Sequence, residues 1–248
     1  MSMADKVALI TGANRGLGFE TARQLGQKGV TVVLAARQRG AAEEAAAKLK
    51  AEGIDAYGIQ LDVTKASDRT AAADWFSRQF GKLDILINNA GIAAVGESDL
   101  FKPTVSETPE AELQGVYETN VFSVVLLTHA LLPLLKKSPA GRIVNLSSIL
   151  GSLTLHADPS SPIYSFKKFA YNSSKTALNA WTVHLAWELR DTPIKVTSVH
   201  PGWVKTDMGT DAAPMEIPEG AQTSVAAALL AADAPSGRFI HLGEELPW

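Results

Sequence analysis

The stretch that most constrains the fold is a strand, a glycine turn and a helix in immediate succession near the N-terminus. Lys6 to Thr11 (KVALIT) is a short apolar, β-branched run, and it ends in Thr11-Gly12-Ala13-Asn14-Arg15-Gly16-Leu17-Gly18. Phe19 to Lys28 then has helical periodicity and stops at Gly29. A helix entered this way offers free backbone N–H groups and the positive end of its dipole, and the glycines let a pyrophosphate approach the backbone. Glycines also serve simple tight turns; it is the flanking strand and helix that make this one a candidate dinucleotide site.

The alternation continues along the chain. Val30 to Ala36 is a second apolar run, followed by an Ala/Glu/Lys-rich helix from Ala41 to Glu52. Ala56 to Leu61 reads as a third strand with Asp62-Val63 at its end, and Ser67 to Phe80 as a helix. Leu83 to Ile87 is continuously apolar, as in a parallel strand buried on both faces, and exits into Asn88-Asn89-Ala90-Gly91. Ile92 to Pro109 reads as a loop, and about Glu110 to Lys137 as one long helix with Asn120 in its middle and Pro133 expected to kink or restart it. Gly141 to Ser148 is a strand ending in two hydroxyls, Ile149 to Ala170 is too irregular to assign, and a helix runs from Tyr171 to about Arg190. Ile194 to Val199 is a strand ending in His200-Pro201-Gly202, Trp203 to Pro218 a loop or short helix, Glu219 to Ala232 a helix and Arg238 to Leu242 a last strand. With no linker, repeat or low-complexity segment, the pattern predicts an α/β protein: a single doubly wound Rossmann domain over residues 1–248, with a seven-stranded parallel sheet flanked by helices.

Composition excludes several functions. A net charge of −3 gives no basic field for nucleic acid or an anionic membrane. The absence of cysteine removes disulfides, thiolate catalysis and Cys-ligated metal, and five scattered histidines show no metal-ligand spacing. No long apolar run and no signal-like N-terminus is present, so the expected location is intracellular, in the cytoplasm.

Two further features carry chemistry. At the end of the second strand a dinucleotide fold places a carboxylate for the ribose 2′-hydroxyl of NAD or an arginine for the 2′-phosphate of NADP. Here the residues are Ala35-Ala36-Arg37, without a carboxylate, and Arg15 in the glycine turn is a second cation within reach. NADP(H) is therefore favoured; NAD(H) is the alternative if both arginines are only surface charges. Second, Tyr171 and Lys175 are four residues apart and share a helix face. A phenol titrates near pH 10, and a cation within about 4 to 6 Å lowers such a group by roughly one to three units, so the pair reads as an acid/base tyrosine with its own activator. Tyr164 and Lys168 have the same spacing, so spacing alone does not decide.

Taken together, TGANRGLG (Thr11 to Gly18), NNAG (Asn88 to Gly91), the mid-helix Asn120, IVNLSS ending at Ser148, YNSSK (Tyr171 to Lys175) and PGWVKTD (Pro201 to Asp207) occur in the order of the short-chain dehydrogenase/reductases. The chain resembles that family from end to end, and looks most like its carbonyl-reductase-type members. Tyr171 precedes Pro201 by 30 residues, close to the family's interval, whereas Tyr164 precedes it by 37. The resemblance implies NADPH-dependent, reversible reduction of an aldehyde or ketone to an alcohol. It implies Tyr171 as proton donor, Lys175 as the group that lowers its pKa and binds the nicotinamide ribose, Ser148 as the hydroxyl on the carbonyl oxygen, and Asn120 as holder of a water behind Lys175. Carried-over cofactor contacts are Gly12, Arg15, Gly16 and Leu17 at the phosphates, Arg37 at the 2′-phosphate, Asp62 and Val63 at the adenine, Asn89 and Gly91 along the ribose, and Pro201, Gly202 and Thr206 near the nicotinamide. Ile92, Ala93, Ile149, Trp203 and Met208 are expected to form an apolar substrate pocket, or else part of the core. The departure is the 23-residue interval from Ser148 to Tyr171, longer than typical members have, which puts the usual tetramer in doubt beside a dimer or monomer. Two other functions fit the same motifs: an NAD-dependent alcohol dehydrogenase, and a regulator that senses NADP(H) without turnover.

Overall fold

A computed structural model describes residues 5–95 and 105–248, so residues 96–104 of the expected loop Ile92 to Pro109 lie outside the described residues. Eight strands form one sheet in the order β3-β2-β1-β4-β5-β6-β7-β8. β1 (Val7–Thr11), β2 (Thr31–Ala36), β3 (Ala56–Gln60), β4 (Ile85–Asn88), β5 (Arg142–Leu146), β6 (Lys195–Val199) and β7 (Arg238–His241) are all parallel.

The continuous apolar runs are explained by helices on both faces. Alternate residues of β1 point to opposite layers. Val7 and Leu9 join Phe76 of α3 (Ala66–Gln79), Leu131 of α5 (Ser123–Leu135) and Leu185 of α7 (Phe169–Glu188), a short α6 (Leu153–Ala157) standing between the last two in the chain. Ala8 and Ile10 join Leu25 of α1 (Gly16–Gln27), Leu49 of α2 (Arg39–Ala51) and Val225 of α8 (Ile217–Ala228). Each fully buried Leu, Ile or Phe contributes about 1.5–3 kcal/mol relative to leaving it exposed. The strand order reverses between β1 and β4, where the chain turns from one half of the sheet to the other; such a reversal opens a crevice at the carboxyl ends of the strands.

Three details differ from the sequence expectation. An eighth strand, β8 (Glu244–Glu245), pairs antiparallel with β7 across Leu242 (φ 46°) and Gly243 (φ 90°); two exposed glutamates carry no hydrophobic period by which to read it. The expected long helix is α4 (Glu110–Tyr117), a π-helical turn at Glu118–Phe122 and α5 in direct succession. Pro133 stays inside α5 without breaking it, because it lies on the exposed side, where the carbonyl it leaves unpaired, at exposed His129, can be hydrated. The run Glu110–Leu135 is long and apolar enough to cross a membrane by length and composition, yet half of its apolar window is buried within the protein.

Candidate active site

The glycine turn between β1 and α1 uses its glycines for different reasons. Gly12 has φ +61° and a Cβ there would lie 3.1 Å from the Ala90 Cα; Gly18 would drive a Cβ to 2.7 Å from the Gly12 carbonyl. Gly16, at φ +58°, has nothing within 4 Å and faces open space. Asn89 braces the turn, donating from Nδ2 to the carbonyls of Thr11 (2.7 Å) and Gly12 (3.1 Å). No side chain caps the N-terminus of α1, so its first N–H groups are free for an anion.

Two cavities meet at this turn, sharing Gly12, Arg15, Asn89 and Gly91. The first, about 370 Å³, also takes in Gly16, Leu17, Ser148, Tyr171, Lys175, Pro201, Gly202, Thr206 and Met208. The second, about 330 Å³, is lined by Arg37, Asp62, Val63 and Ile92. Burial by itself would raise the Asp62 carboxyl, but hydrogen bonds from the Thr64 hydroxyl and N–H, with Lys65 and Arg37 nearby, carry it below its ordinary value. Arg15 reaches across the mouth to Asp207 at 2.9 Å, both side chains about three-quarters exposed. A pair so exposed holds the mouth weakly, at about 0–1 kcal/mol. An uncapped helix end, an open glycine, Arg15 in the glycine turn and Arg37 at a β2 end without a carboxylate make a set of donors and space that fits a dinucleotide with a phosphorylated ribose.

The chemistry-bearing side chains converge from three elements. α7 presents Tyr171 and Lys175 on one face. Lys175 is buried, its Nζ donating to the Leu146 carbonyl (2.7 Å) and lying 5.6 Å from the Tyr171 ring centre. Burial brings its pKa down to about 8. The Tyr171 phenol is pushed up by burial, against the hydrogen bond from the Ser148 hydroxyl. Burial is the largest influence on the phenol. Ser148 leaves the end of β5 and caps a 3₁₀ turn, Ile149–Gly151, accepting from the Leu150 N–H at 3.2 Å. Gly151 lets that turn sit against α7, since a Cβ there would be 2.8 Å from the Lys175 carbonyl carbon.

Asn120 sits in the π-helical turn and is buried. Its Oδ1 accepts from the Ile92 N–H (2.9 Å), and its Nδ2 donates to the Ile92 carbonyl (2.8 Å) and the Ser174 Oγ (3.0 Å). Both its N–H donors are used in tying the exit of β4 to α7. Gly91 lies between, where a Cβ would be 3.3 Å from Asn120 Oδ1 and 3.5 Å from Lys175 Nζ.

The residues expected at the substrate wall are spread out. Met208 lines the first cavity, Ile92 lines the second, and Ala93, Ile149 and Trp203 line neither. Trp203 is half exposed and clips its own loop, Nε1 donating to the Gly209 carbonyl at 2.7 Å. The Thr206 hydroxyl is likewise engaged locally, accepting from the Gly209 N–H at 3.1 Å. The second tyrosine pair is elsewhere: Tyr164 is exposed, and Lys168 meets Glu112 of α4 at 3.5 Å. Sequence reasoning singled out neither Gly151 nor His200. His200 also lines the first cavity and is held neutral, its pKa near 3 through burial and the neighbouring His241. The only sign of it in the sequence is its place before Pro201-Gly202.

Comparison with known proteins agrees with this geometry. Residues 6–217 match the short chain dehydrogenase family. Short-chain dehydrogenase/reductase 1 of Saponaria officinalis is 35% identical over 98% of this chain and 96% of its own length. Carbonyl reductase [NADPH] 1 of Mus musculus is 32% identical over the whole of both chains. The crystal structure of NADPH-bound carbonyl reductase from chicken fatty liver superposes with a TM-score of 0.84 at 29% identity, covering 98% of this chain and 99% of that one. The chain therefore belongs to the short-chain dehydrogenase family.

Proposed function

We propose that this protein is an NADP(H)-dependent oxidoreductase that reduces the carbonyl of an aldehyde or ketone to an alcohol, reversibly, acting in the cytoplasm on a small molecule. The observation that carries the reading is the meeting of Tyr171, Ser148 and Lys175 in a cavity continuous with an open glycine turn and bordered by Arg15 and Arg37. The relatives named for NADPH and for carbonyl reduction support it. When bound, the cofactor supplies the hydride, at C4 of its nicotinamide.

Everything else is assigned to the chain's own residues. Gly12, Gly16, Leu17 and the first N–H groups of α1 would hold the pyrophosphate, with Arg15. Arg37 would take the 2′-phosphate, Asp62 and Val63 the adenine, and Asn89 and Gly91 the ribose. Pro201, Gly202 and Thr206 would take the nicotinamide. Ser148 donates to the substrate oxygen, a contact that strengthens as negative charge develops there. Tyr171 hands that oxygen a proton. Its raised pKa keeps the phenol protonated at neutral pH, as an acid requires. Lys175, with a pKa of about 8, is mainly cationic at pH 7 and holds the ribose hydroxyls beside the phenol. Asn120 fixes the distance between β4 and α7, so that any water behind Lys175 is held by the framework it clamps.

A panel of aldehydes and ketones, followed by loss of NADPH absorbance, tests the reading. Turnover is expected with at least one apolar carbonyl, with a lower KM for NADPH than for NADH. NADPH binding without turnover of any carbonyl would favour the sensing regulator, and a lower KM for NADH would favour the NAD-dependent dehydrogenase.

A further inference from the structure

The parallel ladder between β6 and β7 ends where the cofactor loop begins. Val199 pairs with Ile240, and the His200 N–H donates to the Ile240 carbonyl at 2.9 Å. In a parallel pair the next bond would run from the Leu242 N–H to the His200 carbonyl. That donor is missing: the chain turns at Leu242 with φ 46°, and its N–H goes instead to the Thr223 Oγ1 of α8, at 3.0 Å. His241 fills the gap with its side chain, Nδ1 lying 2.8 Å from the His200 carbonyl. A carbonyl only accepts, so Nδ1 carries the proton.

The same ring lies beside the loop at two further points. It lies 4.9 Å, centre to centre, from the His200 imidazole, whose own Nδ1 is buried without a partner. A Cβ on Gly202, which has φ +95°, would come within 3.2 Å of His241 Cε1. The ring therefore braces the His200 peptide and packs beside the His200 side chain, where the chain passes from the sheet into the wall of the Tyr171 cavity.

We propose that His241 is a positioning residue for the cofactor loop: its Nδ1–H replaces the ladder bond lost at the β7–β8 turn and fixes Pro201-Gly202 against the nicotinamide end of the cavity. The proposal rests on the NADP(H) reading above. It adds a residue outside the family motifs, on the strand neighbouring the one that leads to Pro201.

Two substitutions separate the hydrogen bond from the ring. His241→Asn keeps a donor near Nδ1 and loses most of the ring; His241→Phe keeps the ring and loses the donor. NADP⁺ binding followed by protein fluorescence, and KM and kcat with NADPH, are expected to be within about threefold of wild type for His241→Asn. His241→Phe is expected to weaken NADP⁺ binding and raise the KM for NADPH by about tenfold, with little change in Tm. Long-range ¹H–¹⁵N spectra of the wild type should show His241 in the Nδ1–H form, whether or not a substrate is known. An Nε2–H tautomer, wild-type binding in His241→Phe, or equal losses of binding and Tm in both variants would overturn the proposal. A wild type that shows the Nδ1–H tautomer but neither binds NADP⁺ nor oxidises NADPH would instead overturn the functional reading on which it rests.

Discussion

Two Tyr-x-x-x-Lys pairs stand seven residues apart in this chain, and the fold treats them in opposite ways. Tyr171 and Lys175 lie in the first turns of α7, facing a cavity, with the ammonium buried and directed at a main-chain carbonyl. Tyr164 and Lys168 lie in the turns before that helix. There the phenol is exposed beside Lys167, and Lys168 joins Glu112 to pin the segment to α4. Spacing makes such a pair possible. Burial, and a third group approaching from another element, give it chemical character. Ser148 is that group for the first pair, and it is held there by a turn that only a glycine at position 151 allows so close to α7.

The contrast can be broken at its ends. Lys175→Met should lower kcat/KM by about 10²–10⁴ in steady-state assays, whereas Lys168→Met should leave kcat/KM within about twofold. Ser148→Ala should lower kcat by about 10²–10³ and leave NADPH binding intact, as loss of one donor to a developing oxyanion does. Gly151→Val tests the support beneath it: overpacking against the Lys175 backbone should destabilise the protein by about 1–3 kcal/mol in urea unfolding.

The pH dependence sharpens the comparison further. Burial lowers the pKa of Lys175 in the folded protein from 10.5 to about 8, so between those values the unfolded chain binds more protons. Stability must then rise with pH through that window, by up to about 3 kcal/mol, and the rise should vanish in Lys175→Met. The rate of reduction should move the other way, falling as the ammonium is lost above a pH of about 8, while the high pKa of Tyr171 keeps the phenol protonated.

Much of this architecture was legible in the sequence because its signals are local. A buried parallel strand must be apolar throughout, and a helix that begins at an anion site must open on glycines; both are visible in KVALITGANRGLG. What escaped depends on contacts between distant segments. The π-helical turn at Asn120 reads as ordinary helix, and only the distant partners Ile92 and Ser174 show why an asparagine stands there. Trp203 is visible in the sequence as a large apolar residue, but not the hydrogen bond by which its indole closes its own loop. A charge four residues from Tyr171 is visible in sequence, but the burial that pushes its phenol up is not. His241 left no signal at all, since the ladder bond it replaces exists only once β7 lies beside β6.

The central claim is that proton transfer belongs to the first pair and not to the second. With a carbonyl substrate from the panel, NADPH oxidation and NADP⁺ affinity should be measured side by side for Tyr171→Phe and Tyr164→Phe. The account predicts that Tyr171→Phe lowers kcat by at least about 10³ while NADP⁺ affinity stays within about threefold, and that Tyr164→Phe matches the wild type in both. Substantial turnover in Tyr171→Phe, or its loss in Tyr164→Phe, would contradict it.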